Sequence, residues 1–223
     1  MTMPTRQQQQ LADPNRDGTL FVRHLHPGLE APRLPGLTLR AATLADAVRL
    51  SQAMHDSGDY PEDVVMARLP DGRFPYVIEA DDGDSAIVCY GWVALSGEHT
   101  GDIGLTFRLK DGDAYIYDCA TRPDHRSHGY YPALLQLMAS ELGRGGWQRV
   151  WIGTAPGNLV SQRGILRASF TKVGDLQLVH RPDGSFRIEL YGTPGADALT
   201  VADGAWTFYA RAHPEAGIAT SLS

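Results

Sequence analysis

Residues 115–170 read YIYDCATRPDHRSHGYYPALLQLMASELGRGGWQRVWIGTAPGNLVSQRGILRASF. The opening YIYDCAT is aromatic and apolar enough for a strand. A polar turn, TRPDHRSHG, follows, and Pro123 keeps the residue before it out of a helix. Beyond Gly129 the spacing becomes helical: Leu134, Leu135, Met138 and Leu142 recur at threes and fours, as one buried helix face requires. Gly143, Gly145 and Gly146 stop this helix. RVWIGTA is a second strand, broken by Pro156 and Gly157, and Asn158 then stands at a helix N-cap. Strand, turn, helix and strand make a βαβ unit.

The turn is where the chemistry is expected. Arg126, Ser127, His128, Gly129, Tyr130 and Tyr131 lead from a strand end into a helix N-terminus. Unpaired N–H groups and the helix dipole favour a phosphate there. Gly129 lets a ligand approach the backbone, and Arg126 adds a forked cationic donor. A Walker loop would need a Gly-Lys-Ser/Thr ending and a dinucleotide fingerprint would need three glycines, and neither is present.

The stretch resembles the Arg/Gln-x-x-Gly-x-Gly/Ala loop of the GNAT superfamily, the acyl-CoA-dependent N-acetyltransferases. Arg126 and Gly129 fill the first and fourth positions, and Tyr131 replaces the second small residue. Thr121, Arg122 and Pro123 stand where that family often has Val-x-Pro. Asn158, Ser161, Ile165, Ser169 and Phe170 keep the offsets of its second helix without a gap. The resemblance implies an α/β (α+β) fold: a mixed, mostly antiparallel central sheet flanked by helices, with a splayed strand pair at the cofactor site.

It also implies acetyl-CoA as co-substrate and an amine acceptor. Cys119, Ala120 and Thr121 would line the pantetheine arm, with an oxyanion donor at the N–H of Cys119 or Ala120. Arg126, Ser127, His128, Gly129, Tyr130 and Tyr131 would hold the pyrophosphate, and Asn158 the pantetheine chain. Arg122, Arg163 and Arg167 are further phosphate candidates or plain surface residues. The side chains usual for catalysis are missing: the two common glutamate positions are Tyr115 and Gly153, and the common tyrosine position is Ile165. Tyr117, Asp118 and Tyr131 replace them as candidates. A tyrosine, with an ordinary pKa near 10, suits an acid. Tyr130 is a further acid candidate, and Asp118 and Glu79 are the candidate bases. Strand alternation puts Tyr115, Tyr117, Cys119 and Thr121 on one face and Asp118 on the other, unless a bulge intervenes.

The 223 residues are 43% apolar and 21% charged, with net charge −6 and pI near 5.7. That composition suits a soluble domain and disfavours nucleic acid as a partner. No apolar run reaches membrane-spanning length, and no signal-peptide core is seen. Cys89 and Cys119 read as reduced thiols, no metal site is expected, and the cytoplasm is the expected location. Residues 1–36 read as a peripheral, partly mobile extension, with TLFVRHL as a short added strand that carries His24. Residues 37–192 are expected to form the GNAT-like acyltransferase domain that the resemblance implies, and 193–223 a tail partly packed on it. The Trp and Tyr residues of the tail suit either internal packing or a homodimer.

Within the domain, Leu37–Ala41 reads as a strand, and Thr43 and Asp46 as the cap of a helix. His55, Asp56, Asp59, Tyr60, Glu62 and Asp63 are acceptor-contact candidates, with a short helix starting near Pro61. Two hairpins follow, turning at ADDGDS and LKDGD, and a third turns at RPDG. One strand beyond the usual family plan is expected near Asp102 to Leu109. Direct acetyl transfer to an amine is the leading reading. An acyl-CoA sensor that has lost turnover, or a transferase of a longer acyl group, is the alternative.

Overall fold

The computed structural model describes residues 16–58, 64–69, 73–80, 86–100, 105–180, 186–191 and 207–210. The strand β4 (Ile87–Ala94) is buried at every position, as an apolar run covered on both faces should be. It pairs antiparallel with β3 (Arg73–Ala80), which pairs with the edge strand β2 (Leu37–Ala41). On its other side lies β7 (Asp113–Thr121), also antiparallel. Then come β8 (Arg149–Thr154), β1 (Gly18–His24), β9 (Thr171–His180) and β10 (Phe186–Tyr191), giving the order β10-β9-β1-β8-β7-β4-β3-β2. The β7–β8 pair alone is parallel in this sheet.

Helices cover both faces. On one face α3 (Tyr130–Arg144) presents Leu134, Leu135, Met138 and Leu142, all buried against Phe21, Val93, Ile116 and Ile152. The predicted periodicity is thus the core face of the helix. The other face buries Leu50 and Met54 of α1 (Ala47–Ser57) and Val65 of α2 (Val64–Arg68) over Val77, Tyr90 and Trp92. A 3-10 turn, Leu44–Asp46, leads into α1, and Thr43 and Asp46 form the expected capping box. The α4 helix (Leu159–Arg167) opens at Asn158 as expected.

Two placements differ from the sequence reading, and a third expectation falls partly outside the described residues. The strand expected near Thr19 is not peripheral. It lies between β8 and β9, with Leu20, Phe21 and Val22 buried. The segment after it packs Leu25, Leu29, Ala31 and Leu34 on the α3 side of the core, where Ser140 Oγ donates to the Leu29 carbonyl at 2.8 Å. The extra strand also forms, but not as a hairpin with β7. β5 (Gly97–Thr100) and β6 (Leu105–Arg108) pair with each other, and β11 (Thr207–Ala210) joins them in a second, three-stranded sheet. This leaves β4 paired directly with β7. Finally, the helix after the acceptor loop is described from Val64 onward. Asp59, Tyr60, Glu62 and Asp63 lie outside the described residues, while His55 and Asp56 sit in the last turns of α1.

Candidate functional site: a gap between two parallel strands

β7 and β8 are in register only from Asp113 opposite Arg149 to Ile116 opposite Ile152. Beyond that point they part. β7 stays with β4 as far as Thr121 opposite Cys89, and β8 stays with β1 as far as Thr154 opposite Thr19. Each strand is held on its outer side, so the backbone from Tyr117 to Thr121 faces a gap. This is the splayed pair expected from the sequence.

A bulge marks where the parting begins. Trp92 faces Tyr117 and Tyr90 faces Ala120, so Gly91 alone spans Asp118 and Cys119. The extra residue bends its strand and raises the local twist. Asp118 adopts φ +46°, an uncommon conformation for a non-glycine residue. A Cβ on Gly91 would lie 2.5 Å from Cys119 Sγ and 2.7 Å from Met138 Cε, so only glycine lets Cys119 seat there.

The bulge overturns the simple alternation. Cys119 packs with the α3 side of the core, whereas Tyr117 and Ala120 pack with the α1–α2 side. Asp118 shares the side of Tyr117: its carboxylate pairs with Arg68 of α2, whose guanidinium lies 5.4 Å from the centre of the Tyr117 ring. That places Asp118 beside the gap, with a side chain only 13% exposed.

The loop at the mouth of the gap has the geometry of an anion seat. Pro123–His125 forms a 3-10 turn, and both Ser127 and Gly129 are left-handed, at φ +68° and +79°. Gly129 is the N-cap of α3, and a Cβ there would meet nothing within 4 Å. The turn delivers the N–H groups of the first helical turn to open space, with the helix dipole behind them. Arg126 Nε donates to the Thr121 carbonyl at 3.2 Å, which ties the loop to the strand end. His128 bonds the His125 carbonyl at 3.2 Å and stacks on Tyr130, centroid to centroid 5.5 Å.

Tyr131 turns inward instead. Its Cδ1 stands 2.5 Å from where a Gly164 Cβ would be, so glycine in α4 is what admits the ring. Its hydroxyl shares a 3.0 Å hydrogen bond with Ser161 Oγ. Burial, reinforced by the nearby Cys119, raises its pKa well above the ordinary tyrosine value, so it remains a protonated donor at any working pH. Asn158 Oδ1 accepts the Ser161 N–H at 3.0 Å, which makes it the helix cap it was expected to be.

The positions without usual catalytic groups are accounted for by packing. Ile165 is wholly buried in the core. Tyr115 Oη lies 2.9 Å from where a Gly153 Cβ would be, so one strand's tyrosine fills the space of the other's missing side chain. Glu79 is not a base beside the gap. Desolvation would raise its pKa, but hydrogen bonds from Arg40 and Arg49 outweigh this and lower it. Both cysteines are free. Burial pushes the Cys89 thiol up to about 12 and raises Cys119 as well, so neither supplies a thiolate nucleophile. Sequence reasoning missed Arg68 and Gly91. The sole trace of Gly91 was a glycine inside a buried strand, which often marks a bulge on the partner.

The acetyltransferase (GNAT) family matches residues 48–167, more than half of the chain. No curated protein matches the sequence. A solved GCN5-related N-acetyltransferase from Sphaerobacter thermophilus superposes with TM-score 0.52 at 20% identity, over 73% of this chain and 50% of its own. A GCN5-related N-acetyltransferase from Kribbella flavida gives 0.46 at 17%, over 83% of this chain and 60% of its own. The ribosomal-protein-S18-alanine N-acetyltransferase from Escherichia coli gives 0.46 at 11%, over 72% and 97%. The chain therefore spans about half the length of the first of these structures. The likeness to that structure is one of fold.

Proposed function

Because the chain belongs to the acetyltransferase (GNAT) family, we propose that it moves an acetyl group from acetyl-CoA directly to a primary amine of a small molecule or peptide. The observation that carries this reading is the gap between β7 and β8, which opens beside the left-handed loop of Ser127 and Gly129. An unpaired strand edge can take an extended amide-bearing arm as an added strand, while the helix start takes its phosphates.

In this reading Arg126 and the N–H groups from Ser127 to Tyr131 hold the pyrophosphate. Cys119, Ala120 and Thr121 pair with the pantetheine arm, and Asn158 borders it. The N–H of Cys119 or Ala120 faces the thioester oxygen and stabilises the oxyanion as the amine nitrogen attacks the carbonyl carbon. Asp118 takes the proton lost by the amine, directly or through water. Tyr131 gives its proton to the sulfur as the C–S bond breaks, and a proton from solvent, relayed by the half-buried Ser161 hydroxyl through their hydrogen bond, restores it. Tyr117 is a wall of the acceptor side. Direct transfer needs positioning above all, which suits a site without a nucleophile. Two free thiols also suit a reducing cytoplasm.

Acceptor-dependent thiol release tests this, with acetyl-CoA and a longer acyl-CoA offered against a panel of primary amines. Release with acetyl-CoA supports the reading, and preference for the longer donor transfers it to another acyl group. Tight acetyl-CoA binding with no release on any amine replaces it with a sensor.

A further inference from the structure

Arg68 ends the short helix α2, whose Val65 is buried on the α1 side of the sheet. Its guanidinium pairs with Asp118 and lies 5.1 Å from the centre of the Trp92 ring and 5.4 Å from that of Tyr117. Trp92 is fully buried, and its Nε1 has no hydrogen-bond partner in the structure. A carboxylate beside two aromatic faces is a seat for one organic cation. The seat is built on the bulge: Asp118 is held at φ +46° where β7 leaves β8, and its neighbour Cys119 borders the gap. Residues on sparsely populated backbone cluster at functional sites, and Asp118 is such a residue beside the gap.

We propose that Arg68 is a stand-in for the acceptor: it occupies the cation seat of Asp118, Trp92 and Tyr117 until an alkylammonium group of the acceptor displaces it. The inference rests on the acyltransferase reading and adds to it a recognition rule for the acceptor. The incoming group is a primary ammonium on a slender apolar stem, bound first as the cation that the seat fits. Arg68 has a path out, since its side chain is 20% exposed. Displacing it brings the nitrogen to Asp118, which accepts the proton before attack. The equilibrium is a competition, so the apparent affinity for the amine is the intrinsic affinity multiplied by the fraction of molecules in which Arg68 has left the seat.

The experiment titrates butylammonium chloride into the whole chain by calorimetry, for the native protein, Arg68→Ala and the double variant Arg68→Ala/Asp118→Asn. Acetyl-CoA binding is measured on the same samples. Butylammonium is expected to bind Arg68→Ala about tenfold or more tightly than the native chain. The gain disappears in the double variant, and the acetyl-CoA affinity of Arg68→Ala stays within about twofold of the native value, because Arg68 is on α2 and not on the loop or strand assigned to the donor. Equal or weaker butylammonium binding by a folded Arg68→Ala overturns the proposal. If Arg68→Ala does not fold, Arg68→Met keeps an apolar stem over the rings and decides by the same comparison. The butylammonium arm needs no turnover. Loss of acetyl-CoA binding in all samples would therefore refute the transferase reading and leave the cation seat to stand or fall by its own result.

Discussion

Asp46 and Asp118 each pair with arginine from another element, yet their surroundings differ at every level. Asp46 is 3% exposed and stands at the start of α1. It accepts from Arg40 Nη1 at 2.8 Å and Nη2 at 2.7 Å, from the Thr43 N–H at 2.7 Å and from Arg49. The same two arginines hold Glu79 of β3, so four charges tie the edge strand, the turn and α1 together. Asp118 sits on left-handed backbone at a bulge, beside a gap, with a guanidinium that also rests on two aromatic rings. The first cluster is redundantly bonded on ordinary backbone, and it holds the fold. The second keeps a strained carboxylate where two strands part, and a ligand can replace its arginine.

The contrast predicts which property each substitution moves. Asp46→Ala removes one of the two carboxylates that Arg40 and Arg49 share, leaving them only Glu79, and removes a cap. It should cost about 3 kcal/mol of stability, which is about 6–12 °C in Tm for a chain of this size. Scanning calorimetry checks it, and a loss below about 1 kcal/mol would remove the distinction drawn between the two clusters. Asp118→Asn should do the reverse. Asn tolerates left-handed backbone, so stability should change by less than about 1 kcal/mol. The value of kcat should fall about 100-fold with the loss of a proton acceptor, equivalent to about 2.7 kcal/mol. Steady-state kinetics beside a melting curve separates the two effects.

Gly91→Ala lies between these cases. Its Cβ would meet Cys119 Sγ at 2.5 Å, inside the packed sheet and at the bulge. Overpacking of this kind costs about 1–3 kcal/mol. Because it shifts Asp118 and Cys119, kcat should fall together with stability. A variant that is destabilised yet fully active would detach the bulge from catalysis. The smallest effect is that of pH on the structural cluster. Asp46 is held well below the ordinary carboxyl range, chiefly by its hydrogen bonds with Arg40, and Glu79 is lowered too. A depressed folded pKa means that the unfolded chain binds more protons. The stability these groups supply is therefore complete above about pH 4–5 and is lost as pH falls further. Urea midpoints between about pH 5 and pH 3 should decline in the native chain and more weakly in Asp46→Ala.

What the sequence disclosed was local. The face of α3 follows from its 3.6-residue period, its start from Gly129, the start of α4 from Asn158, and the first helix cap from Thr43 and Asp46. Each depends on residues within a few positions of one another. The gap between β7 and β8 came from resemblance, since no spacing in one strand reports where its neighbour leaves it. The features that escaped were all non-local. Whether TLFVRH lies inside or outside the sheet depends on pairing with Arg149–Thr154 and Thr171–Leu176, far along the chain. The hairpin near Leu105 lies outside the main sheet, where its other partner is β11, about a hundred positions further along the chain. The bulge at Asp118 answers to Gly91 on another strand, and nothing near Arg68 in sequence indicates that it lands on Asp118. Tyr131 replaced a small residue in the loop pattern. The compensating Gly164 was visible, but its meaning needed the contact between α3 and α4.

The most direct test is a calorimetric titration of the native chain and of Gly129→Asp with acetyl-CoA. Gly129 is left-handed at φ +79° with no atom within 4 Å of its Cβ position, and Asp tolerates that backbone while setting a negative charge where the pyrophosphate would lie. Micromolar binding by the native chain, abolished in a Gly129→Asp variant of similar Tm, is the predicted result. Equal binding by both, or binding by neither, would contradict the assignment of the gap and its loop as the donor site.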